Sequence, residues 1–200
     1  MYENEKEELC RICRLLYDRH LVEACDGNVS MRVSEEHILI TPSGKNKGFL
    51  KADEILTVDF SGMSIEGRGK ASKEFPLHRT IYENRPEAAA VVHTHPVYAT
   101  AFAMAGQTIP DNYLIESKVM LGKCALAEYA PPGTPELAEK ILPYVKDCNA
   151  ILLKNHGAVA LGKSLMDAYN KMEVLETIAK TIIMSRLVGT PSPIPESEER

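Results

Sequence analysis

The run Ala88 to Thr94, AAAVVHT, is apolar at successive rather than alternate positions, and this limits the fold more than any other segment. Strand side chains point alternately to two faces, so a strand apolar on both needs cover on both and belongs in the middle of a sheet. A second constraint is Ser164 to Val188. There Leu165, Ala168, Tyr169, Met172, Leu175, Ile178, Ala179, Ile182 and Ile183 recur at helical period until Gly189. A buried strand and a long one-sided helix together require a layered α/β arrangement.

The remaining segments supply the other elements. A helix is predicted over residues 3–20, its acidic first turn suiting the positive end of the helix dipole. Short strands follow at 28–33 and 37–41, then the turn TPSG at 41–44, a strand at 55–60, and a hairpin turn at Ser61-Gly62 into 63–66. The segment ASKEFPLHRTIYENRP predicts a helix from Ser72 or Lys73 to just before Pro86, with Pro76 in its first turn. Further helices are predicted from Pro96 to Met104 and, behind the cap Thr134-Pro135-Glu136, to Val145. Strands at 151–154 and 158–161 bracket the polar break Asn155-His156-Gly157. Short turns between neighbours favour antiparallel pairing. The expectation is one α/β domain over residues 1–189, a central mostly antiparallel sheet flanked by helices, with a mobile tail at 190–200.

Composition removes several functions. With 23 Lys+Arg against 28 Asp+Glu the net charge is −5, and no basic run could neutralise a row of phosphates, so nucleic acid is excluded as a partner. No eighteen apolar residues run together and the N-terminus opens acidic, so no membrane association and a cytoplasmic location are expected. The five cysteines are odd in number and scattered, which predicts reduced thiols. Cys10 and Cys13 sit in an amphipathic run with Leu9, Ile12 and Leu16 and read as packing residues.

Chemistry concentrates at His93-Thr94-His95, because alternate strand residues share a face and two imidazoles can converge on one ion. His156 stands at the polar break, where a sheet end can face a cleft. Glu74 lies at the start of the helix that leads to the His-x-His strand. Three imidazoles and one carboxylate make a set that suits zinc or another divalent transition metal. His78, one turn after Glu74, is the rival ligand or an outer support; His20 and His37 read as surface residues. Gly27-Asn28, Ser43-Gly44 and Ser72-Lys73 are small polar pairs where free backbone N–H groups gather, which suits phosphate but also suits ordinary turns. No phosphate-loop or dinucleotide glycine pattern is present.

These motifs, DGNVSMR, ITPSG, ASKEFPLH, EAAAVVHTHP, YAPPGTPELAE and LLKNHGAVALG, make the chain resemble the class II aldolase/adducin family over nearly its whole length, in particular its short members of the L-fuculose-phosphate aldolase type. The resemblance implies a three-layer sandwich, and zinc held by His93, His95 and His156, with Glu74 a resting ligand that swings off to act as base. It further implies a phosphate pocket of Asn28, Ser43, Gly44 and Ser72, and a homotetramer with active sites at subunit interfaces. Lys73 stands where the family carries a second phosphate-binding Ser; related sugar-acid phosphate decarboxylases and aldolases also carry Lys at this place. Tyr113 is the nearest match to the tyrosine a neighbouring subunit donates as general acid.

The implied reaction is aldol cleavage of a small ketose phosphate to dihydroxyacetone phosphate and an aldehyde, in which a divalent ion stabilises charge developing beside a ketone. Decarboxylation of a 3-oxo-sugar-acid phosphate is the alternative that Lys73 favours. A pentulose-phosphate 4-epimerase and a thiosugar-phosphate dehydratase use the same metal, and relatives of the epimerase carry aspartate where Glu74 stands. A metal-free interaction module, like the head domain of adducin, has no need of the ligand set.

Overall fold

Strands β1 (Asn28–Arg32), β2 (His37–Ile40), β3 (Leu56–Asp59), β4 (Ser64–Glu66), β5 (Ala90–Thr94), β6 (Cys124–Ala127), β7 (Ala150–Leu153) and β8 (Gly157–Gly162) form one sheet in the order β4-β3-β2-β1-β5-β8-β7-β6. All pairings are antiparallel except the parallel pair β6 and β7. The computed structural model describes residues 1–195; the part of the expected mobile tail at 196–200 lies outside the described residues. Residues 190–195 have no regular structure, and Ile194 N–H donates to Asn112 O at 2.7 Å.

β5 lies between β1 and β8, and all five of its residues are buried. Alternation divides them: Ala90 and Val92 join the core beneath α1 (Glu3–Asp18), α3 (Val97–Met104) and α5 (Leu165–Val188), whereas Val91 joins the core beneath α2 (Phe75–Asn84) and α4 (Pro135–Ile141). Helices therefore cover both faces, giving three layers. Each buried Val, Leu or Ile contributes about 1.5–3 kcal/mol relative to exposure, so the doubly apolar strand is stable only with both layers present.

Local signals explain the helix limits. α5 starts where Ser164 Oγ accepts from Asp167 N at 3.1 Å and ends at Gly189. α4 is capped by Thr134 Oγ1, accepting from Leu137 N, but it stops at Ile141 rather than Val145. Pro143 has no N–H to continue the ladder and its ring would crowd the turn before it. α2 begins at Phe75, which makes Glu74 its capping residue rather than a member of its first turn. Nothing in the sequence marks β6, because CALA is too short to show a period. Cys13 is fully buried against the first core, and burial pushes the thiols of Cys10 (to about 11) and Cys13 upward, so this pair serves packing. No helix among the described residues is long and apolar enough to cross a membrane.

Candidate metal centre

The register of β1 against β5 sets Asn28 opposite His93, so two polar side chains share one face at the ends of these strands. Both reach Glu74 at the start of α2. Asn28 Nδ2 donates to Glu74 Oε2 at 2.8 Å, and His93 Nε2 lies 3.1 Å from the same oxygen. His95, just past the strand, brings its Nε2 within 3.3 Å of His93 Nε2.

His156 arrives from the turn between β7 and β8. Asn155 takes φ 56°, a left-handed conformation that Asn tolerates better than most residues, and so turns the chain. Gly157 then opens β8 close beside the end of β5: a Cβ there would lie 2.5 Å from Thr94 O and 2.6 Å from His95 Cδ2. The absence of a side chain permits that approach. His156 Nε2 consequently sits 3.4 Å from Glu74 Oε1. Candidate ligand atoms of the three histidines lie within 4.8 Å of one another, and the ring centroids are 4.8–5.0 Å apart.

Hydrogen-bond logic shows what this convergence needs. His93 Nδ1 faces the carbonyl of Ala158 at 2.9 Å, and a carbonyl only accepts, so Nδ1 carries a proton; Nε2 donates to Glu74 when the ring is protonated and presents a lone pair when it is neutral. That lone pair points at a carboxylate oxygen and a second imidazole nitrogen. A proton on His93 relieves one of these contacts; a single divalent cation relieves them all. The spacing agrees, because tetrahedral ligand atoms bound at about 2.0–2.1 Å stand about 3.3 Å apart. Glu74 Oε1 and His156 Nδ1 are also buried without a hydrogen-bond partner among the described residues. The residues therefore fit a metal ion.

The electrostatics point the same way. Burial alone would raise Glu74, but the His93 imidazole, hydrogen bonds from His93 and Asn28, and the nearby His156 hold its carboxyl well below the usual range. Burial would depress His93, yet Glu74 and the Ala158 carbonyl raise it. His156 is pushed down to about 4, first by burial and then by the His93 charge, and His95 is lowered for the same reasons. Both rings thus stay neutral and able to donate a lone pair.

The site opens into a cleft of about 300 Å³ whose walls include Gly27, Asn28, Ser43, Gly44, Ser72, Lys73, Glu74, His95 and His156. Every residue anticipated for phosphate is thereby brought beside the histidines. Their free valences differ from expectation, however. The Asn28 amide is turned inward onto Glu74 and His78, and Ser43 N–H already donates to Lys70 O at 2.9 Å. Ser43, Gly44, Ser72 and the exposed Lys73 line the cleft, and Ser72 Oγ accepts from Glu74 N–H at 3.3 Å. A larger cavity of about 580 Å³, near Arg85, Asn149 and Lys163, contains no histidine.

Two features were not legible beforehand. Lys47 lines the cleft though 98% buried, with Nζ donating to Cys25 O and Lys45 O, both at 2.8 Å; burial lowers its pKa. Nothing in its sequence context marks it. The second is the carboxylate of Asp26, 3.7 Å from His95 Nδ1. His78 is no rival ligand: it lies behind Asn28, fully buried. Tyr113 does not line the cleft of its own chain; its ring packs against the core beneath α5.

Comparison with known proteins completes the picture. The family described as Class II Aldolase and Adducin N-terminal domain matches residues 7–183. An L-fuculose phosphate aldolase of Methanococcus vannielii is 43% identical over 183 residues, 90% of this chain and 97% of that protein. A 3-oxo-tetronate 4-phosphate decarboxylase of Haemophilus influenzae is 33% identical over 180 residues, 88% of this chain and 85% of that protein. A solved structure of L-fuculose 1-phosphate aldolase superposes with TM-score 0.88 at 32% identity, covering 96% of this chain and 91% of that one.

Proposed function

We propose, since this chain belongs to the class II aldolase and adducin family, that it is a zinc-dependent lyase cleaving a small ketose phosphate of the L-fuculose 1-phosphate kind into dihydroxyacetone phosphate and an aldehyde. The observation that carries this reading is the meeting of three imidazoles and one carboxylate at the floor of an open, anion-friendly cleft. When bound, the ion supplies Lewis-acid charge where negative charge develops beside a carbonyl, in place of a Schiff-base lysine.

The chain's own groups supply the rest. Glu74 is anchored at Oε2 by Asn28, while Oε1 has no hydrogen-bond partner and lies 3.4 Å from His156 Nε2; the carboxylate would help hold the ion and would exchange a proton with the hydroxymethyl carbon in the condensing direction. Leaving its cationic neighbours for a partly dry pocket raises its pKa toward the useful range. Ser43, Gly44 and Ser72 line the cleft side suited to a phosphate, with the buried ammonium of Lys47 in the wall. Tyr113, lying outside its own chain's cleft, is assigned as the acid delivered to a neighbouring subunit, with a homotetramer as the assembly.

Decarboxylation of a 3-oxo-sugar-acid phosphate is the second reading, favoured by Lys73 at the cleft mouth and by the Haemophilus relative. A Lys73 ammonium there could hold a carboxylate or neutralise the phosphate. Parallel coupled assays separate the two: dihydroxyacetone phosphate from ketose 1-phosphates supports the aldolase. CO2 from 3-oxo acid 4-phosphates with no aldol cleavage replaces it with the decarboxylase.

A further inference from the structure

Behind Glu74 runs a hydrogen-bond chain whose direction is fixed at every link. A carboxylate can only accept, so the 2.8 Å contact from Asn28 to Glu74 Oε2 must come from the Asn28 NH2 group. The Asn28 carbonyl oxygen therefore faces His78 Nε2, and an amide oxygen also only accepts, so His78 Nε2 bears the proton. In a neutral ring Nδ1 is then an acceptor. Ser30 Oγ, 2.6 Å away, donates to it and receives in turn from the Tyr82 hydroxyl at 2.7 Å. His78 and Ser30 are fully buried, Asn28 and Tyr82 nearly so, so no solvent competes for these bonds.

We propose that Tyr82, Ser30 and His78 are positioning residues that lock the Asn28 amide with its NH2 group toward Glu74, and thereby set where the Glu74 carboxylate rests. This rests on the reading of Glu74 as the mobile acidic ligand of the metal centre. It gives Asn28 a role other than phosphate binding by its side chain: its amide is the last link of the chain. The physical reason is an alternative the chain suppresses. If His78 carried its proton on Nδ1, the amide would have to flip, and its oxygen would then face the carboxylate with no hydrogen between them.

Two measurements on the full-length protein test this. In metal-free protein labelled with 15N-histidine, long-range proton–nitrogen correlation should show His78, identified by the signal lost in His78→Gln, as the neutral Nε2–H tautomer; an Nδ1–H ring overturns the chain. Zinc affinity, measured by chelator competition with zinc alone, should fall about tenfold in His78→Leu, the lower end of the effect of losing an outer support. His78→Gln, which keeps a donor near the Nε2 position, should restore most of it. In a Glu74→Ala background His78→Leu should cost nothing more; losses that simply add would show that His78 does not act through Glu74. Should His78→Leu not fold, Ser30→Ala carries the same cycle with almost no change in volume. No substrate is needed, so a failed aldolase assay leaves this result standing. A wild-type protein that binds no zinc refutes the proposed function, while the tautomer still decides the chain.

Discussion

Replacing Gly157 by Ala tests how the metal centre is built. The added Cβ would lie 2.5 Å from Thr94 O and 2.6 Å from His95 Cδ2, the latter about 0.8 Å inside the 3.4 Å at which ordinary contact begins. The carbonyl belongs to a central strand paired on both sides, so the His95 ring is the part that can yield. Metal sites tolerate ligand displacements of about 0.2 Å, so a shift several times larger removes His95 from an ion shared with His93 and His156. Zinc affinity should fall at least about 10–100-fold, the loss seen when even an outer support is removed. Overpacking of this kind costs about 1–3 kcal/mol, which for a chain of this length lowers the melting temperature by about 2–12 °C. Chelator competition and a thermal melt of the metal-free protein read the two effects separately. A variant with unchanged zinc affinity and melting temperature would refute the close packing of the His156 turn against the end of β5, and with it the placement of the third ligand.

Three other outcomes are expected. Glu74→Gln should retain zinc through the three imidazoles but lose about a hundredfold or more in turnover, since an amide cannot take a proton; near-normal turnover removes Glu74 from the chemistry. Tyr113→Phe should keep metal content and lose turnover by about a hundredfold, as for a general acid; light scattering should give a tetramer, and a fully active monomer would contradict a role across subunits. His78, pushed down to about 3 by burial and then by the His93 charge, refuses a proton that the unfolded chain accepts near 6.5. Stability of the metal-free protein should therefore fall as pH drops from 6.5 toward 3, by at most about 1.4 kcal/mol per pH unit from this residue. Chemical denaturation of His78→Gln should show a shallower fall; an identical slope means His78 is not buried neutral.

How far the sequence revealed all this depended on the range of the interactions involved. His93 and His95 were legible because strand alternation is local, and the doubly apolar AAAVVHT run placed them on a central strand. The Asn155-His156-Gly157 break was visible for the same reason, though not why Gly was needed: the close approach to Thr94 and His95 depends on the pairing of β5 with β8. The contact of Asn28 with Glu74, 46 residues away, was not legible, because it depends on the register opposite His93, a property of the assembled sheet. Lys47 gave no signal, since its ammonium is held by its own loop at Lys45 O and by Cys25 O, 22 residues away. The early stop of α4 is written locally, in Pro143.

The most direct test is X-ray absorption at the zinc edge of the loaded protein. Three imidazole nitrogens and one or two oxygens at about 2.0–2.2 Å, one ion per chain, are expected from His93, His95, His156 and Glu74. A sulfur scatterer near 2.3 Å, or fewer than three histidines around the ion, would contradict the account.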